Sequence, residues 1–469
     1  MKHKIYSILA LALTASLTPN ELSAATYAAN FTNRLGTIRR ELHSSGYSPA
    51  FADRAAMTDW CDQDIRELNL AYTRTHDWSL HAAGFPVCDT HFIFPIFAAD
   101  ASDPASYRFG PTDAMLNLAR TNLHQKILFR LGTSIEHSEE GHRYNSVMPA
   151  DYAKYAEICA GVIRHYTRGW ANGFNWGDDI VHWEIWNEPD LSSHKCWSGS
   201  MTEFNKFFAI VLKRLRDEFD DSVRIGGPAF AEFSTQKASD LLDACDLKGV
   251  VPDFISWHYY GVDPTKMTTQ AASLRSVLKG RGDLYAGIGM IINEWRYVKD
   301  WNESTNRVGI DSAAYTTAVL SQFQNAKDED KLEAAFHYGS GMTGNYGIVN
   351  ARGQRNHVFW ALYFAGQLFA NCTEWCSTYV DGSTTVYMLA GSTADRKTCQ
   401  MLVSDVLGTA TTLSVTVKGL PEGATPTVRR LDKSQLEPKT VTDWTWNGTT
   451  LALKKSSGSA VFLVTFTAE

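Results

Sequence analysis

Two glutamates in this 469-residue sequence sit where a rigid scaffold would present chemistry. Glu188 closes the run Val181-His182-Trp183-Glu184-Ile185-Trp186-Asn187-Glu188-Pro189, and Glu294 lies near the end of Met290-Ile291-Ile292-Asn293-Glu294-Trp295. Each follows a short apolar stretch that reads as a buried strand. Two carboxylates that face each other suit the cleavage of a glycosidic bond. One must be protonated, to give its proton to the leaving oxygen. The other must be ionised, to attack the anomeric carbon or activate water. Trp186 and Pro189 beside Glu188 would reduce its hydration and favour the neutral acid. Taken singly, Glu188 could be a helix cap or ion-pair partner, and Glu294 a buried structural carboxylate. Both standing at strand ends favours the catalytic reading.

The elements that must position them follow from hydrophobic period. Between about residues 35 and 370, short apolar runs alternate with longer stretches of 3.6 period. The strands expected are Gly36–Leu42, Ala71–Asp77, Lys126–Gly132, Val181–Asn187, Val223–Gly227, Asp253–Tyr260, Met290–Trp295 and Leu332–His337. Helices are expected over Tyr152–Tyr166, Phe204–Phe219, Tyr315–Phe323 and Val358–Phe369. In the first, Tyr155, Ile158, Cys159 and Val162 share a face; in the second, Phe207, Phe208, Val211, Leu212 and Leu215 do. Alternating strands and helices make a parallel sheet, and eight strands predict an α/β fold, a (β/α)8 TIM barrel. An open doubly wound sheet is the rival, but no glycine-rich loop follows the first strand. In a barrel, the ends of the fourth and seventh strands face each other across the mouth, which would bring Glu188 and Glu294 together.

After about residue 375 the texture changes. Thr385–Ala390, Thr398–Ser404, Thr411–Val417, Thr427–Asp432 and Val461–Phe466 alternate in and out between Gly, Pro, Ser and Asn turns. This predicts a small all-β sandwich. The expected organisation is a signal peptide over 1–25, a catalytic barrel over 26–374 and a C-terminal β-sandwich over 375–469. Residues before the first barrel strand could add a strand to the sandwich.

Composition narrows the class. There are 44 Lys+Arg against 51 Asp+Glu, and 44% of residues are hydrophobic. That is a globular chain whose mild acidity argues against nucleic acid as a partner. Fourteen Trp, 19 Tyr and 23 Phe serve either a core or flat faces for sugars. Lys2 and Lys4, the apolar run Ile5–Leu17 and small residues at Ser23-Ala24-Ala25 read as a secretory leader cut after Ala25. The run is too short to span a bilayer and no later one is long enough, so export to the periplasm or exterior, without a membrane span, is expected. Eight cysteines are too few for a framework in a chain of this length. Cys159 and Cys245 read as buried thiols. Cys372 with Cys376, and Cys61 with Cys88, are close enough in sequence to pair. None of the spacings suits zinc.

Several motifs resemble glycoside hydrolase family 39, within clan A. Trp-Glu-Ile-Trp-Asn-Glu-Pro-Asp at 183–190 resembles its acid/base motif, and Ile-Asn-Glu-Trp at 292–295 its nucleophile motif. Phe254-Ile255-Ser256-Trp257-His258-Tyr259-Tyr260-Gly261 resembles its sixth strand, and Arg74-Thr75-His76-Asp77 its second-strand end. The family contains β-xylosidases and α-L-iduronidases. The resemblance implies a retaining double displacement, with Glu294 as nucleophile and Glu188 as acid/base. Asn187 would bond the sugar 2-hydroxyl, and Tyr260 would hold the Glu294 carboxylate aligned. His258 and Tyr260 share a strand face and could equally be satisfied core. His76 could bind a sugar hydroxyl or be structural, and Trp295 could be a stacking platform or packing. The partner would be an oligosaccharide or polysaccharide, and the chemistry calls for no metal or organic cofactor.

Trp295-Arg296-Tyr297-Val298-Lys299 departs from the xylosidase pattern. Arg296 or Lys299 could read a substrate carboxylate, as a uronidase of the same fold would need; a solvated loop charge is the plainer reading. A catalytically silent glycan-binding protein is the remaining rival, though binding alone needs neither glutamate. His137-Ser138-Glu139-Glu140-Gly141-His142 has a metal-like composition but not the spacing of a zinc protease, and reads as a polar rim loop. Sugar, linkage and oligomeric state stay open at this level.

Overall fold

The computed structural model describes residues 25–46, 62–76, 87–133, 148–191, 196–303, 305–327, 330, 332–339, 347–349 and 353–468. The proposed leader, Cys61, Asp77 and the 137–142 loop lie outside these residues. No helix among the described residues is long and apolar enough to cross a membrane.

The first strand, β1 (Thr26–Thr37), belongs to a second sheet described below. The next eight close a parallel barrel. They are β2 (Ser44–Gly46), β3 (Tyr72–Arg74), β4 (Lys126–Leu131), β5 (Ile180–Ile185), β6 (Arg224–Phe230), β7 (Phe254–Gly261), β8 (Gly289–Tyr297) and β9 (Ala334–His337). β2 pairs with both β3 and β9, which closes the ring. Leu128, Phe254, Ile291, Ala334 and Phe336 fill the barrel interior. Outward-facing residues such as Phe129, Trp183, Ile255 and Ile292 join the main core with the surrounding helices. Inside and outside alternate as the pleat demands.

The helices form where expected and run slightly longer: Tyr152–Arg168, Met201–Glu218, Ile310–Asn325 and His357–Asn371. Asp151 caps the first by accepting from Lys154 N, and Gly169 ends it in the left-handed region at φ 68°. Ser200 caps the second through Glu203 N, and Phe204, Phe207, Phe208, Val211, Leu212 and Leu215 form its buried face.

The second sheet has ten strands: β1, β10 (Glu374–Asp381), β11 (Val386–Ser392), β12 (Thr398–Asp405), β13 (Thr412–Lys418), β14 (Thr425–Asp432), β15 (Lys439–Val441), β16 (Trp444–Trp446), β17 (Thr450–Lys454) and β18 (Ala460–Thr467). Their order is β15-β14-β18-β12-β11-β10-β1-β13-β17-β16. One face encloses its own core, with Phe31, Met388, Met401, Val403, Val415, Leu453, Phe462 and Val464. The alternate residues Leu389, Leu402, Val461 and Leu463 join the barrel's core. The helix Ile310–Asn325 is the joint. Ser404 Oγ donates to Thr317 Oγ1 at 2.6 Å, Ser459 Oγ to Asp311 Oδ1 at 2.6 Å, and Asn325 Nδ2 to Met388 O at 2.8 Å.

The structure departs from two expectations. The first barrel strand is not Gly36–Leu42 but Ser44–Gly46, and the barrel segment does not begin at residue 26. Tyr27, Ala29 and Phe31 alternate into the second sheet's core, β1 pairs antiparallel with β10 and parallel with β13, and Arg40–Leu42 is a 3-10 turn. The true strand is Ser-Ser-Gly, fully buried yet with no apolar run to reveal it. The second correction concerns Cys372 and Cys376, which are free, buried thiols. Cys372 Sγ turns toward Gln400 Oε1 and Cys376 Sγ toward Ser392 Oγ and Phe31 O. Cys88 is also free and buried, as are Cys159 and Cys245.

Candidate active site

Glu188 stands just beyond β5, on a backbone bent away from strand geometry. Trp186 has φ 77° and Glu188 φ 45°, both in the left-handed region that side chains of this size rarely occupy. Such strain costs about 1–3 kcal/mol per residue and persists only where surroundings impose it. Here Trp186 N donates to Leu131 O at 3.0 Å, its indole Nε1 to Cys196 O at 2.9 Å, and Glu188 N to Ala229 O at 2.9 Å. The Trp186 ring packs among Tyr155, Trp197 and Phe207, so the bend turns Trp186 into the core. Gly132 at the end of β4 makes room, because a Cβ there would meet Trp186 Cα at 3.1 Å.

Glu294 is aimed by a second irregularity. The β7–β8 register slips between the Trp257–Ile292 and His258–Glu294 pairs. Such a bulge re-aims a side chain, and here Asn293 and Glu294 both contact residues of the barrel interior. Glu294 is 4% exposed. Arg74 Nη1 donates to its Oε1 at 2.7 Å, and the Tyr260 hydroxyl to its Oε2 at 2.7 Å. His76 Nε2 lies 3.4 Å from Oε1. His258 Nδ1 sits between the two carboxylates, 2.8 Å from Glu188 Oε1 and 3.4 Å from Glu294 Oε2. Facing atoms of Glu188, His258 and Glu294 all lie within 4.8 Å of one another.

Arg74, fully buried, organises the floor. Its Nε donates to Glu184 Oε2, its Nη1 to Glu294 and its Nη2 to Asn187 Oδ1, each at 2.7 Å. Glu184 Oε1 in turn accepts from Ser256 Oγ at 2.6 Å and from Asn293 Nδ2. One guanidinium thus balances two buried carboxylates, each further neutralised by hydrogen bonds. Holding Asn187 by its oxygen leaves the amide Nδ2 buried and without a partner among the described residues. A buried donor in that state is costly unless a ligand accepts from it.

The electrostatics follow from burial and these partners. Burial pushes the Glu294 carboxyl up, and the Glu188 charge adds to this; His258, Arg74 and the Tyr260 hydroxyl pull the other way. Burial disfavours a charged His258, but Glu294 and Glu188 outweigh it and raise its pKa. His76 is held neutral, well below its ordinary value, by burial and by Arg74, Arg130 and His258. Glu188, His258 and Glu294 would be a possible metal-ligand set by proximity. Their facing atoms, however, already bond to Arg74, Tyr260 and each other, which reads as a proton-handling network.

The structure therefore brings together Glu188, Glu294, Asn187, His76, His258 and Tyr260. It excludes Trp295 as a stacking platform: that ring is 1% exposed and packs edge-on against Phe323 and His337 on the outside of the barrel. Arg296 is likewise no free cation at the mouth. It is fully buried and donates to the carbonyls of Tyr338 at 2.8 Å and Arg307 at 3.0 Å. Arg74, Glu184, Ser256 and Asn293 lie within the sequence motifs, but their types and spacing alone assign them no role. A charge inside the apolar run Trp183-Glu184-Ile185 was the available signal for Glu184.

The chain is similar to several known proteins. A β-xylosidase from Caldicellulosiruptor saccharolyticus is 24% identical over 303 residues, 59% of this chain and 55% of that protein. A β-xylosidase from Geobacillus stearothermophilus is 27% identical over 119 residues, 25% of this chain and 22% of its own. The chain thus spans about half the length of the first of these relatives and less of the second. The crystal structure of a glucosidase from Croceicoccus marinus superposes with TM-score 0.73 at 22% identity, covering 95% of this chain and 99% of that one. The model of the glycosyl hydrolases family 39 matches residues 37–328, more than half of the sequence, and the chain belongs to that family.

Proposed function

We propose that the protein is an exported retaining glycosidase that removes terminal, β-xyloside-like sugars from oligosaccharides or polysaccharides. The observation that carries this reading is that one carboxylate oxygen of Glu188 and one of Glu294 lie within 4.8 Å of each other at the barrel mouth, with His258 between them. A retaining pair has its carboxyl groups about 5–5.5 Å apart, whereas an inverting pair leaves about 6.5–9.5 Å for a water. The approach supports direct attack by one carboxylate.

Glu294 is the nucleophile. Both its oxygens accept hydrogen bonds, one from a guanidinium that has no acceptor capacity, so its working form is the anion. His258 Nδ1 lies 2.8 Å from Glu188 Oε1, within reach to pass a proton to it. In the first step Glu294 bonds to the anomeric carbon while the bond to the leaving oxygen breaks, and that oxygen takes the proton from Glu188. In the second step Glu188 removes a proton from water, water oxygen bonds to the anomeric carbon, and the Glu294 ester bond breaks. Asn187 Nδ2 donates to the 2-hydroxyl, a contact that tightens as charge develops at the neighbouring carbon.

The β-xylosidase relatives suggest the sugar. Arg296 is taken up by backbone carbonyls, which leaves the exposed Lys299 as the other cation a uronide would need. The test is turnover of aryl glycosides that differ in leaving group. Glu294→Ala should abolish turnover of all of them. Glu188→Ala should spare those with acidic phenols, which need no proton. Undiminished turnover in Glu294→Ala would sink the assignment.

A further inference from the structure

The barrel rim carries a large exposed aromatic that the two-carboxylate chemistry does not use. Trp301, on the segment after β8, is 61% exposed. Its ring lies 5.3 Å from that of Tyr260 at 55°, and the Tyr260 hydroxyl bonds Glu294. Trp301 is therefore one ring removed from the nucleophile.

Its position is built rather than incidental. The Arg307 guanidinium lies 5.4 Å from the Trp301 ring centroid, and Arg307 Nη2 donates to Trp301 O at 2.6 Å. Arg296 Nη2 holds the Arg307 carbonyl at 3.0 Å, and both arginines are buried. Asp300 ties the same turn by accepting from Asn302 N at 2.8 Å. Two buried arginines thus fix an indole that remains open to solvent. An indole held this way gains from covering by a flat apolar surface. The C–H face of a pyranose is such a surface, and its equatorial hydroxyls stay at the wet rim. Glu188 lies beyond β5, whereas Tyr260 and Trp301 lie on the β7–β8 side with Glu294, so a sugar over Glu294 is the one within reach of Trp301.

We propose that Trp301 is the stacking platform for the sugar held over Glu294, in place of the buried Trp295. The proposal rests on the glycosidase reading above. Its test uses the full chain with Trp301→Ala and Trp301→Phe. The substrates are whichever of the 4-nitrophenyl β-xyloside and β-glucoside the unaltered protein cleaves faster, both pyranosides, and a disaccharide of the same terminal sugar. The monosaccharide released serves as inhibitor. Trp301→Ala should raise KM for both substrates, and the inhibition constant of the monosaccharide, by about tenfold, the order expected for losing one covered aromatic face. Trp301→Phe should restore most of it, and melting temperature should hold because the ring is exposed. Unchanged KM and inhibition constant, or a change confined to the disaccharide, overturns the proposal. Absence of any glycoside cleavage by the unaltered protein overturns the functional reading itself, and this proposal with it.

Discussion

Replacing Tyr260 by Phe removes one hydroxyl from the nucleophile and leaves the ring in place against Trp301 and Tyr338. That hydroxyl donates to Glu294 Oε2 at 2.7 Å in a site where Glu294 is 4% exposed. A hydrogen bond to a charged group contributes about 1.5–3 kcal/mol, and one pKa unit corresponds to about 1.4 kcal/mol. Losing it should raise the Glu294 pKa further, beyond the rise that burial already imposes, and lower kcat/KM on the acidic limb by about 10- to 100-fold. Glu294 must be ionised to attack, so activity is lost as pH falls through its pKa. The raised value sets the acidic limb of the profile above the ordinary glutamate range, and the variant should lose activity at still higher pH. The assay is kcat/KM for an aryl glycoside across pH in both proteins, which reports the free enzyme. An acidic limb that stays put, or moves down, would refute the reasoning, even if the maximal rate fell.

Three further outcomes are expected. Trp295→Ala should destabilise the fold by about 3–5 kcal/mol, as large-to-small changes in a core do, and leave KM unchanged; a selective rise in KM would restore the ring to the sugar site. Asn187→Ala should lower kcat more than it raises KM, and a substrate lacking the 2-hydroxyl should be cleaved equally by variant and parent; a pure KM effect would contradict the transition-state role. Burial, opposed in part by the bond to Leu68 O, holds His43 down at about 4. Its folded pKa lies below its unfolded value, so the unfolded chain binds the extra proton first. Stability from this group is present above about pH 6.5 and lost as pH falls toward 4, by up to about 3 kcal/mol. Urea unfolding of His43→Asn across this window should show a flatter pH dependence than the parent; equal slopes would dismiss the contribution.

The barrel was legible because most of its strands carry apolar or aromatic runs and period-3.6 helices separate them. Glu188 and Glu294 were legible because each ends such a run. Ser44–Gly46 was not, since its burial comes from crowding by neighbouring strands and needs no hydrophobic side chain. β1 was weakly legible, because pairing with β10 and β13 is a contact between distant segments. The misreading of Trp295 has a similar origin. Alternation fixes which side chains share a face only while the register is regular, and the slip at His258–Glu294 sends Glu294 inward and Trp295 outward. Arg74 and Glu184 form a bond between strands far apart in sequence, so neither residue alone announces the other. Trp301 carries no signal in the sequence, because the ring it meets, Tyr260, lies on a separate element, β7.

In a double displacement one carboxylate carries the sugar between the two steps. An activated 2-deoxy-2-fluoro glycoside slows hydrolysis of the glycosyl ester and allows it to accumulate. After peptic digestion and mass spectrometry, the added mass should lie on the peptide that contains Glu294, and Glu294→Gln should take up none. Label on the peptide that contains Glu188, or turnover without any covalent adduct and with an inverted anomer as first product, would contradict the account.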